Sequence, residues 1–274
     1  MYKMDKTTKK NEKRWDQLVQ SDVPCSRPRV ELTQKTARKM LDPNGILGDL
    51  NGKNVLCLAS GGGQQSVGFA LLGANVAVVD FSAEQLEKDK EVARKLSLNI
   101  RIVKTDMQEL SMFKDNEFDV VYQPYSINYI QGTSKLFDEV VRVTKLGGIY
   151  HLMFHNPFIH GSWKNGCWGS RWKTKDLWRG VGYPIKQEYK ESLPIEVDDP
   201  YWDFPDSKGK EQRVKAPQEF KHTLSNIING LTERGFSVLR LEEYTEGDIN
   251  SEPGTWEHYV AVAVPWLFLW LKKN

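Results

Sequence analysis

Short apolar segments alternate with longer amphipathic segments between residues 50 and 155, and this rhythm restricts the fold more than any other feature of the chain. Nearly all-apolar strands separated by helices are typical of a parallel sheet that is covered on both faces. The apolar segments predict five such strands, at residues 55–59, 76–80, 100–104, 118–123 and 149–154. Since crossovers between parallel strands are right-handed, the sequence predicts a doubly wound, Rossmann-like α/β fold.

The connecting segments and the C-terminal part complete this sheet. Four helical patterns are predicted, at residues 63–72, 83–96, 133–144 and 223–234. Ser82 precedes the second helix and is expected to cap it. Two further strands are predicted at residues 237–242 and 259–264. The expected architecture is a seven-stranded, mainly parallel sheet with helices on both faces.

Residues 156–218 break the alternation of strands and helices. Five of the nine tryptophans of the chain fall in this segment, together with six of the 12 prolines. Because the segment is too aromatic for a disordered linker, we interpret it as an insertion after the fifth strand that covers a ligand pocket. A separate aromatic core within the insertion is the alternative, and Arg171 and Arg179 offer charges to an acidic ligand.

The charge balance and the cysteines exclude several classes of protein. Lys and Arg number 38 and Asp and Glu number 36, so the formal net charge of +2 gives no electrostatic footprint for nucleic acid. The basic segment from residue 3 to residue 14 is expected to be a solvated tail, with a nucleic-acid or membrane arm as the alternative. The three cysteines form no CxxC pair, which predicts no metal site, reduced thiols and a cytoplasmic location.

A glycine-rich turn, Ala59-Ser60-Gly61-Gly62-Gly63, follows the first predicted strand. Doubly wound sheets bind their ligands beyond the carboxyl ends of the strands. Glycines at this point let the backbone approach a ligand without a Cβ clash, and the following helix offers free N–H groups. By itself the turn is compatible with a structural loop, a dinucleotide site or a methyl-donor site.

The ends of the next two strands carry acids. Asp80 ends the second strand, where a carboxylate accepts hydrogen bonds from ribose hydroxyls, and Phe81 beside it suits a purine face. Asp106 and Met107 follow the third strand, where they would hold an adenine amino group and pack against the ring. A nicotinamide site requires G-x-G-x-x-G/A, and Ser66 in the third position does not fit it.

Taken together, these segments resemble the class I S-adenosylmethionine-dependent methyltransferase superfamily. The matching motifs are the first loop (55–63), the ribose-binding acid (79–82), the adenine motif (104–107), the fourth strand (118–121) and the turn before the fifth strand (146–148). Residues 220–224 and 231–236 resemble a late segment of the small-molecule enzymes grouped with the ubiquinone and menaquinone methyltransferases.

The resemblance implies S-adenosyl-L-methionine as methyl donor, S-adenosyl-L-homocysteine as product, and in-line displacement to a small-molecule acceptor. The residues expected to bind the donor are Ala59, Ser60, Gly61, Gly63, Asp80, Phe81, Ser82, Asp106, Met107 and Gln123. The chain departs from the family at Cys57, where an acid is usual, and at Ala59, where a glycine is usual. Gln123 and carbonyls near Ala59 are expected to replace that acid, and Ala59 is expected to limit the turn to conformations that a Cβ permits.

Methyl transfer depends mainly on alignment, which supplies about 7–11 kcal/mol of the barrier. A general base matters only if the acceptor arrives protonated. His155, at the end of the fifth strand, is the first candidate for this base, and His222, before a helix, is the second. An RNA or protein methyltransferase and a donor-binding protein without turnover remain as alternative functions, while a dehydrogenase is disfavoured by Ser66.

We expect one domain over residues 1–274. Its four parts are an N-terminal helical cap (1–50, with helices at 11–20 and 31–41), a cofactor-binding core (51–155), the insertion (156–218) and a closing helix and strand pair (219–274). The apolar run 260–271 is interrupted by Pro265 and is shorter than the ~20 residues of a membrane span. Its tryptophan-rich end is expected to pack on the body of the protein or against a second copy, which leaves a homodimer open.

Overall fold

The computed structural model describes residues 4–160, 178–185, 187–197, 199–244 and 247–274. Its strands are β1 (Asn54–Leu58), β2 (Asn75–Asp80), β3 (Ile100–Lys104), β4 (Phe118–Gln123), β5 (Thr144–His155), β6 (Leu193–Pro194), β7 (Tyr201–Pro205), β8 (Glu211–Lys215), β9 (Phe220–Lys221), β10 (Phe236–Tyr244) and β11 (Trp266–Lys273). Its helices are α1 (Lys6–Gln20), α2 (Gln34–Leu41), α3 (Gln65–Leu71), α4 (Ala83–Lys95), α5 (Ser134–Val143), α6 (Leu224–Thr232) and α7 (Trp256–Val262).

Seven strands form one sheet in the order β10-β11-β5-β4-β1-β2-β3. The five strands from β1 to β5 are parallel, and β11 runs antiparallel to both β5 and β10. The predicted doubly wound, mainly parallel α/β sheet is therefore confirmed. Within the described ranges, none of the helices is long and apolar enough to span a membrane.

The two faces of the sheet bury different side chains because successive residues of a strand point in opposite directions. Leu56 and Leu58 of β1 belong to a core that includes residues of α5 and α6. Val55 and Cys57 belong to a second core with residues of α2, α3 and α4. Burial on both faces explains why the central strands are almost continuously apolar.

The final strand is not where the sequence analysis placed it. Residues 259–264, predicted as a strand, lie mostly in α7, which Thr255 caps by accepting a hydrogen bond from the His258 backbone. The strand is β11, which starts directly after Pro265. A short apolar run does not distinguish a buried helix from a buried strand, and Pro265 divides this run into one of each. Trp270 is buried in the second core, so the tryptophan-rich end packs on the body of the protein.

The described part of the insertion contains two small antiparallel pairs, β7 with β8 and β6 with β9. Trp202 and Phe204 of β7 pack with Leu18 of α1 and with Val23, so this part of the insertion shares a core with the N-terminal segment. The Asn11 side chain strengthens this connection by donating hydrogen bonds to the carbonyls of Tyr129 and Gln218. Cys167, Arg171 and the first three tryptophans of the insertion lie outside the described residues.

Candidate active site

The glycine-rich turn packs tightly against the start of α4. A Cβ on Gly61 would lie 2.5 Å from Cβ of Gln85 and 3.1 Å from Oδ2 of Asp80, so no larger residue fits without displacement. Ala59 has a φ of 47°, which is left-handed backbone. This small left-handed region is one that a Cβ still permits, at a cost in strain that glycine would not carry.

Asp80 fastens this turn to the end of β2. Its Oδ2 accepts a hydrogen bond from the Gly61 backbone at 3.0 Å, and its Oδ1 accepts one from the Ser82 backbone at 2.9 Å. Burial raises the pKa of Asp80 to about 6, although both hydrogen bonds favour the charged form. Ser82 caps α4 as predicted, because its side chain accepts from the Gln85 backbone. Ser60 and Phe81 are buried beside them.

Asp106 and Met107 lie at the same edge of the sheet, after β3. Both side chains are buried, and Oδ1 of Asp106 accepts a hydrogen bond of 2.8 Å from the Gln108 backbone. The sulfur of Met107 lies 3.3 Å from Nε2 of Gln123, at the end of β4. The predicted donor residues of β2, β3 and β4 therefore lie along one edge, as the carboxyl ends of parallel strands must.

The Gln123 side chain is completely buried, and protein groups engage both ends of its amide. Its Nε2 donates to Oγ of Ser126 at 2.9 Å as well as to Met107, and its Oε1 accepts from the Tyr150 hydroxyl at 2.6 Å. Both amide hydrogens are used in this arrangement. Gln123 is thus fixed beside Met107 by contacts within the protein.

Asp89 is a buried acid that the sequence analysis missed. It reaches the turn from α4, where its Oδ2 accepts from the Gly62 backbone at 2.8 Å and its Oδ1 from the Ser66 hydroxyl at 2.5 Å. Burial raises the pKa of Asp89 to about 7. The available signal was its spacing, because residue 89 lies three positions after buried Leu86 and three before buried Val92, on the inward face of α4.

A cavity of about 690 Å³ lies beyond the ends of β4 and β5. Aromatic side chains supply much of its wall: Trp15, Tyr125, Tyr129, Trp202, Trp256 and Trp266. Its charged and titratable side chains are Lys10, Arg14, Cys25, His155, His160, Glu196, Lys215 and Glu219. This size and this mixture of apolar surface with a few polar groups are typical of a small-molecule site.

Four of these groups form a hydrogen-bonded and stacked cluster. Oε2 of Glu219 accepts from the Tyr125 hydroxyl at 2.8 Å and lies 2.7 Å from Nε2 of His160. The His155 ring stacks on His160 with centroids 4.3 Å apart. The sequence analysis named His155 but missed His160 and Glu219, which lie in the insertion and directly after it.

Burial controls the charges of this cluster. It raises the pKa of Glu219 above its ordinary value and lowers the pKa of His155 well below its own. Neutral His155 has Nδ1 placed 3.2 Å from the Asn156 carbonyl, an acceptor, so Nδ1 carries the proton and Nε2 is the basic nitrogen. The pKa of Tyr125 is raised, first by burial and then by Glu219, so its hydroxyl stays protonated.

His222 does not line the cavity. Its Nε2 lies 3.2 Å from the Ile127 carbonyl and 3.0 Å from the Ile130 carbonyl, and its Nδ1 lies 2.8 Å from Oε1 of Glu191. The ring is completely buried between these groups. This arrangement ties the segment after β4 to the start of α6, which is a structural role.

Comparison with known proteins adds three findings. Residues 56–152 match a family model described as a methyltransferase domain. The chain is 32% identical over 244 residues, 85% of its length and 89% of the relative's, to an uncharacterized methyltransferase, YbaJ, of Bacillus subtilis strain 168. It is 31% identical over 101 residues, 37% of its length and 42% of the relative's, to the ubiquinone/menaquinone biosynthesis C-methyltransferase UbiE of Zymomonas mobilis.

A solved structure has the same fold. The S-adenosylmethionine-dependent methyltransferase from Mesorhizobium loti superimposes with a TM-score of 0.64 at 19% identity, over 89% of this chain and all of the other.

Proposed function

The chain belongs to the class I S-adenosylmethionine-dependent methyltransferases, and we propose that it methylates a small molecule held in the aromatic cavity beyond β4 and β5. S-adenosylmethionine is the cofactor and supplies a methyl group already activated on a sulfonium centre. The work left to the protein is to hold the donor, to align the acceptor and, for a protonated acceptor, to remove a proton.

The residues at the strand ends fit the donor. The Asp80 carboxylate has about four acceptor positions, and the backbones of Gly61, Ser82 and Phe81 use three of them, so one remains for a ribose hydroxyl. Among the residues that the structure describes, Oε1 of Gln85 is buried without a hydrogen-bond partner, and it would lie 3.0 Å from a Cβ on Gly62. An orphaned acceptor beside the turn fits a hydroxyl or ammonium group of a ligand.

We assign positioning roles to Gln123 and Asp89. Because both ends of the Gln123 amide are bonded within the protein, we propose that it orients Met107 instead of meeting the methionine end of the donor. Asp89 orders the turn through Gly62 and Ser66 from the side of α4. Asp89 thus supplies a carboxylate to the turn. The family usually has an acid at the position that Cys57 occupies in this chain.

The proposal rests on a short segment, residues 123–125. This segment joins the edge of the sheet where the donor is expected to bind, called the donor edge, to the cavity. Gln123 contacts Met107 at the donor edge, and Tyr125, two residues later, lines the cavity and bonds to Glu219. An acceptor in the cavity would therefore lie next to the methyl donor. Among the cavity groups, His155 through Nε2 and Glu219 as a carboxylate are the proposed proton acceptors.

Two measurements test this function. Calorimetry with S-adenosylhomocysteine, compared with NAD, should give saturable binding of the first ligand alone. The purified protein should then transfer a labelled methyl group from S-adenosylmethionine to the ultrafiltrate of a cell extract, the small-molecule fraction. The Asp80→Asn variant, measured in parallel, should lose most of this transfer because it weakens the ribose contact.

The other candidate functions predict different results. Label in the retained macromolecular fraction that RNase or protease removes would indicate an RNA or protein methyltransferase. Donor binding without transfer to any fraction would indicate a binding protein without turnover. Absence of donor binding would refute the donor site.

We also propose that the reaction takes place in the cytoplasm. The two cysteines that the structure describes, Cys25 and Cys57, are free thiols. Free thiols are the usual state in a reducing compartment. Fractionation of the native cells with an antibody against the protein would test this location.

A further inference from the structure

Three cations converge on one wall of the aromatic cavity. Lys10 and Arg14 lie four residues apart on α1 and share one side of the helix, and Lys215 ends β8 opposite them. The pKa of Lys10 is lowered by the charge of Arg14, by burial and by the charge of Lys215. The three positive charges are therefore close enough to repel one another.

No acid of the described chain neutralises these side chains. Lys10, Arg14 and Lys215 take part in no ion pair or side-chain hydrogen bond among the residues described, although Lys215 lies 5.9 Å from the centre of the Tyr201 ring. The acids of α1 point elsewhere, since Glu12 pairs with Lys104 and Asp16 bonds to Ser82.

Arg14 is the most informative of the three. Arg14 is only 8% exposed, and burial lowers the pKa of its guanidinium. A buried arginine without an opposite charge is rare, because removing its charge from water is costly. Arg213, on the same hairpin as Lys215, shows the usual arrangement, with Asp203 at 2.8 Å and Asp199 at 2.5 Å. An unpaired Arg14 in a cavity wall therefore points to an anionic ligand.

The apolar wall continues from these cations toward the reaction centre. The Trp15 ring meets Trp202 edge to face at 5.7 Å and Tyr129 at 5.4 Å, and Tyr129 meets Tyr125 at 5.7 Å. The carboxylate of Glu219, at the far end, is occupied by Tyr125 and His160. The unpaired cations thus lie near the Trp15 end of this row of rings and the proposed proton acceptors lie near its Tyr125 end, while the Glu196 carboxylate also lines the cavity.

We propose that Lys10, Arg14 and Lys215 form a binding site for an anionic group of the methyl acceptor, such as a carboxylate, sulfonate or phosphate. The acceptor then has an apolar or planar body that lies along Trp15 and Tyr129, and its reacting atom reaches Tyr125. This inference rests on the proposed function, because it names the class of substrate for the same cavity. The cations bind one end of the molecule and thereby fix the position of the other.

A matched pair of fluorescent probes tests the site without knowledge of the natural acceptor. Anilinonaphthalene sulfonate carries an aromatic body with a sulfonate, and phenylnaphthylamine carries the same body without a charge. The wild-type protein should bind the sulfonate more tightly. Arg14→Gln and Lys215→Gln should each weaken sulfonate binding about tenfold, the loss expected for one charged hydrogen bond, and leave binding of the neutral probe unchanged.

Two control variants carry the same charge change outside the cavity. Lys13→Gln lies on α1 with its side chain exposed, and Lys210→Gln lies in the turn between β7 and β8. Both should bind the sulfonate probe like the wild type, and circular dichroism checks the fold of every variant. Equal binding of the two probes by the wild type, or equal losses in the control variants, would overturn the proposal.

The failure of this inference is distinguishable from failure of the proposed function. Binding of S-adenosylhomocysteine to the wild-type protein reports on the donor site alone. If the donor product binds and the probes show no preference for the charge, the anionic site is wrong and the methyltransferase function stands. If the donor product does not bind, the proposed function fails whatever the probes show.

Discussion

The Tyr125 hydroxyl donates a 2.8 Å hydrogen bond to Oε2 of Glu219, a residue 94 positions further along the chain. The same oxygen lies 2.7 Å from Nε2 of His160, whose ring stacks on His155. One carboxylate oxygen thus joins the segment after β4 to the segment after β5. All four side chains line the cavity, and two of them, His155 and Glu219, are the groups that we propose as proton acceptors.

Replacing Glu219 with glutamine should lower the turnover number about a hundredfold for an acceptor that must lose a proton, since general bases contribute about 10²–10⁴-fold. Burial raises the pKa of Glu219, so the wild-type rate should fall as the pH drops through that value, and this acidic limb should be absent from the variant. Steady-state kinetics across pH would check both effects. The exposed Glu188→Gln in the insertion is the control, and an unchanged acidic limb in the Glu219 variant would rule out the assignment.

Asp89 should make the protein less stable as the pH rises. Burial raises its pKa to about 7 from the ordinary value of 3.8, so the folded state holds this proton more tightly than the unfolded state. The free energy of unfolding should therefore fall between about pH 4 and pH 7. The Asp89→Asn variant should lack this pH-dependent part of the free energy of unfolding, which amounts to up to about 4 kcal/mol.

Urea unfolding at a series of pH values would measure the contribution of Asp89. The Glu91→Gln variant is a suitable control because Glu91 lies on the same helix and is exposed. A pH dependence that is identical in the wild type and the Asp89 variant would show that Asp89 ionises normally in the folded protein.

Gly61→Ala should destabilise the protein by about 1–3 kcal/mol, the usual cost of overpacking. The added Cβ would lie 2.5 Å from the Gln85 Cβ, which belongs to the first turn of α4 and does not move freely. The turn should shift, and affinity for S-adenosylhomocysteine should fall with it. Gly132→Ala is the matched control, since nothing lies within 4 Å of its Cβ. Thermal unfolding should show a loss of stability, and calorimetry a loss of S-adenosylhomocysteine affinity, in the Gly61 variant and not in the Gly132 variant.

His222 and His155 should respond differently to substitution by glutamine. His222→Gln should lower the free energy of unfolding by about 1–3 kcal/mol, because the carbonyls of Ile127 and Ile130 and the Glu191 carboxylate lose their partner. His155→Gln should lower turnover instead. Equilibrium unfolding combined with activity per folded molecule distinguishes the two. A specific loss of turnover in the His222 variant would return this residue to the catalytic candidates.

The residues at the edge of the sheet where we propose that the donor binds could be picked out from the sequence because their signals are local. The glycine-rich turn, Asp80 and Asp106 each follow an apolar strand, and parallel strands bring their carboxyl ends to one edge. The closing strand was misplaced because one apolar run supplies both α7 and β11, and hydrophobicity alone does not divide it.

The sequence by itself determined the five parallel strands and predicted the edge of the sheet where we propose that the donor binds, since hydrophobic periodicity, glycines and helix caps depend on neighbours along the chain. Only the tertiary structure decided the cavity, because its groups come from distant segments. Glu219 meets His160 across 59 positions, and Arg14 lies in a wall with Lys215 from β8. Burial then set the charges of His155, Glu219 and Asp89, and burial depends on which elements pack together in three dimensions.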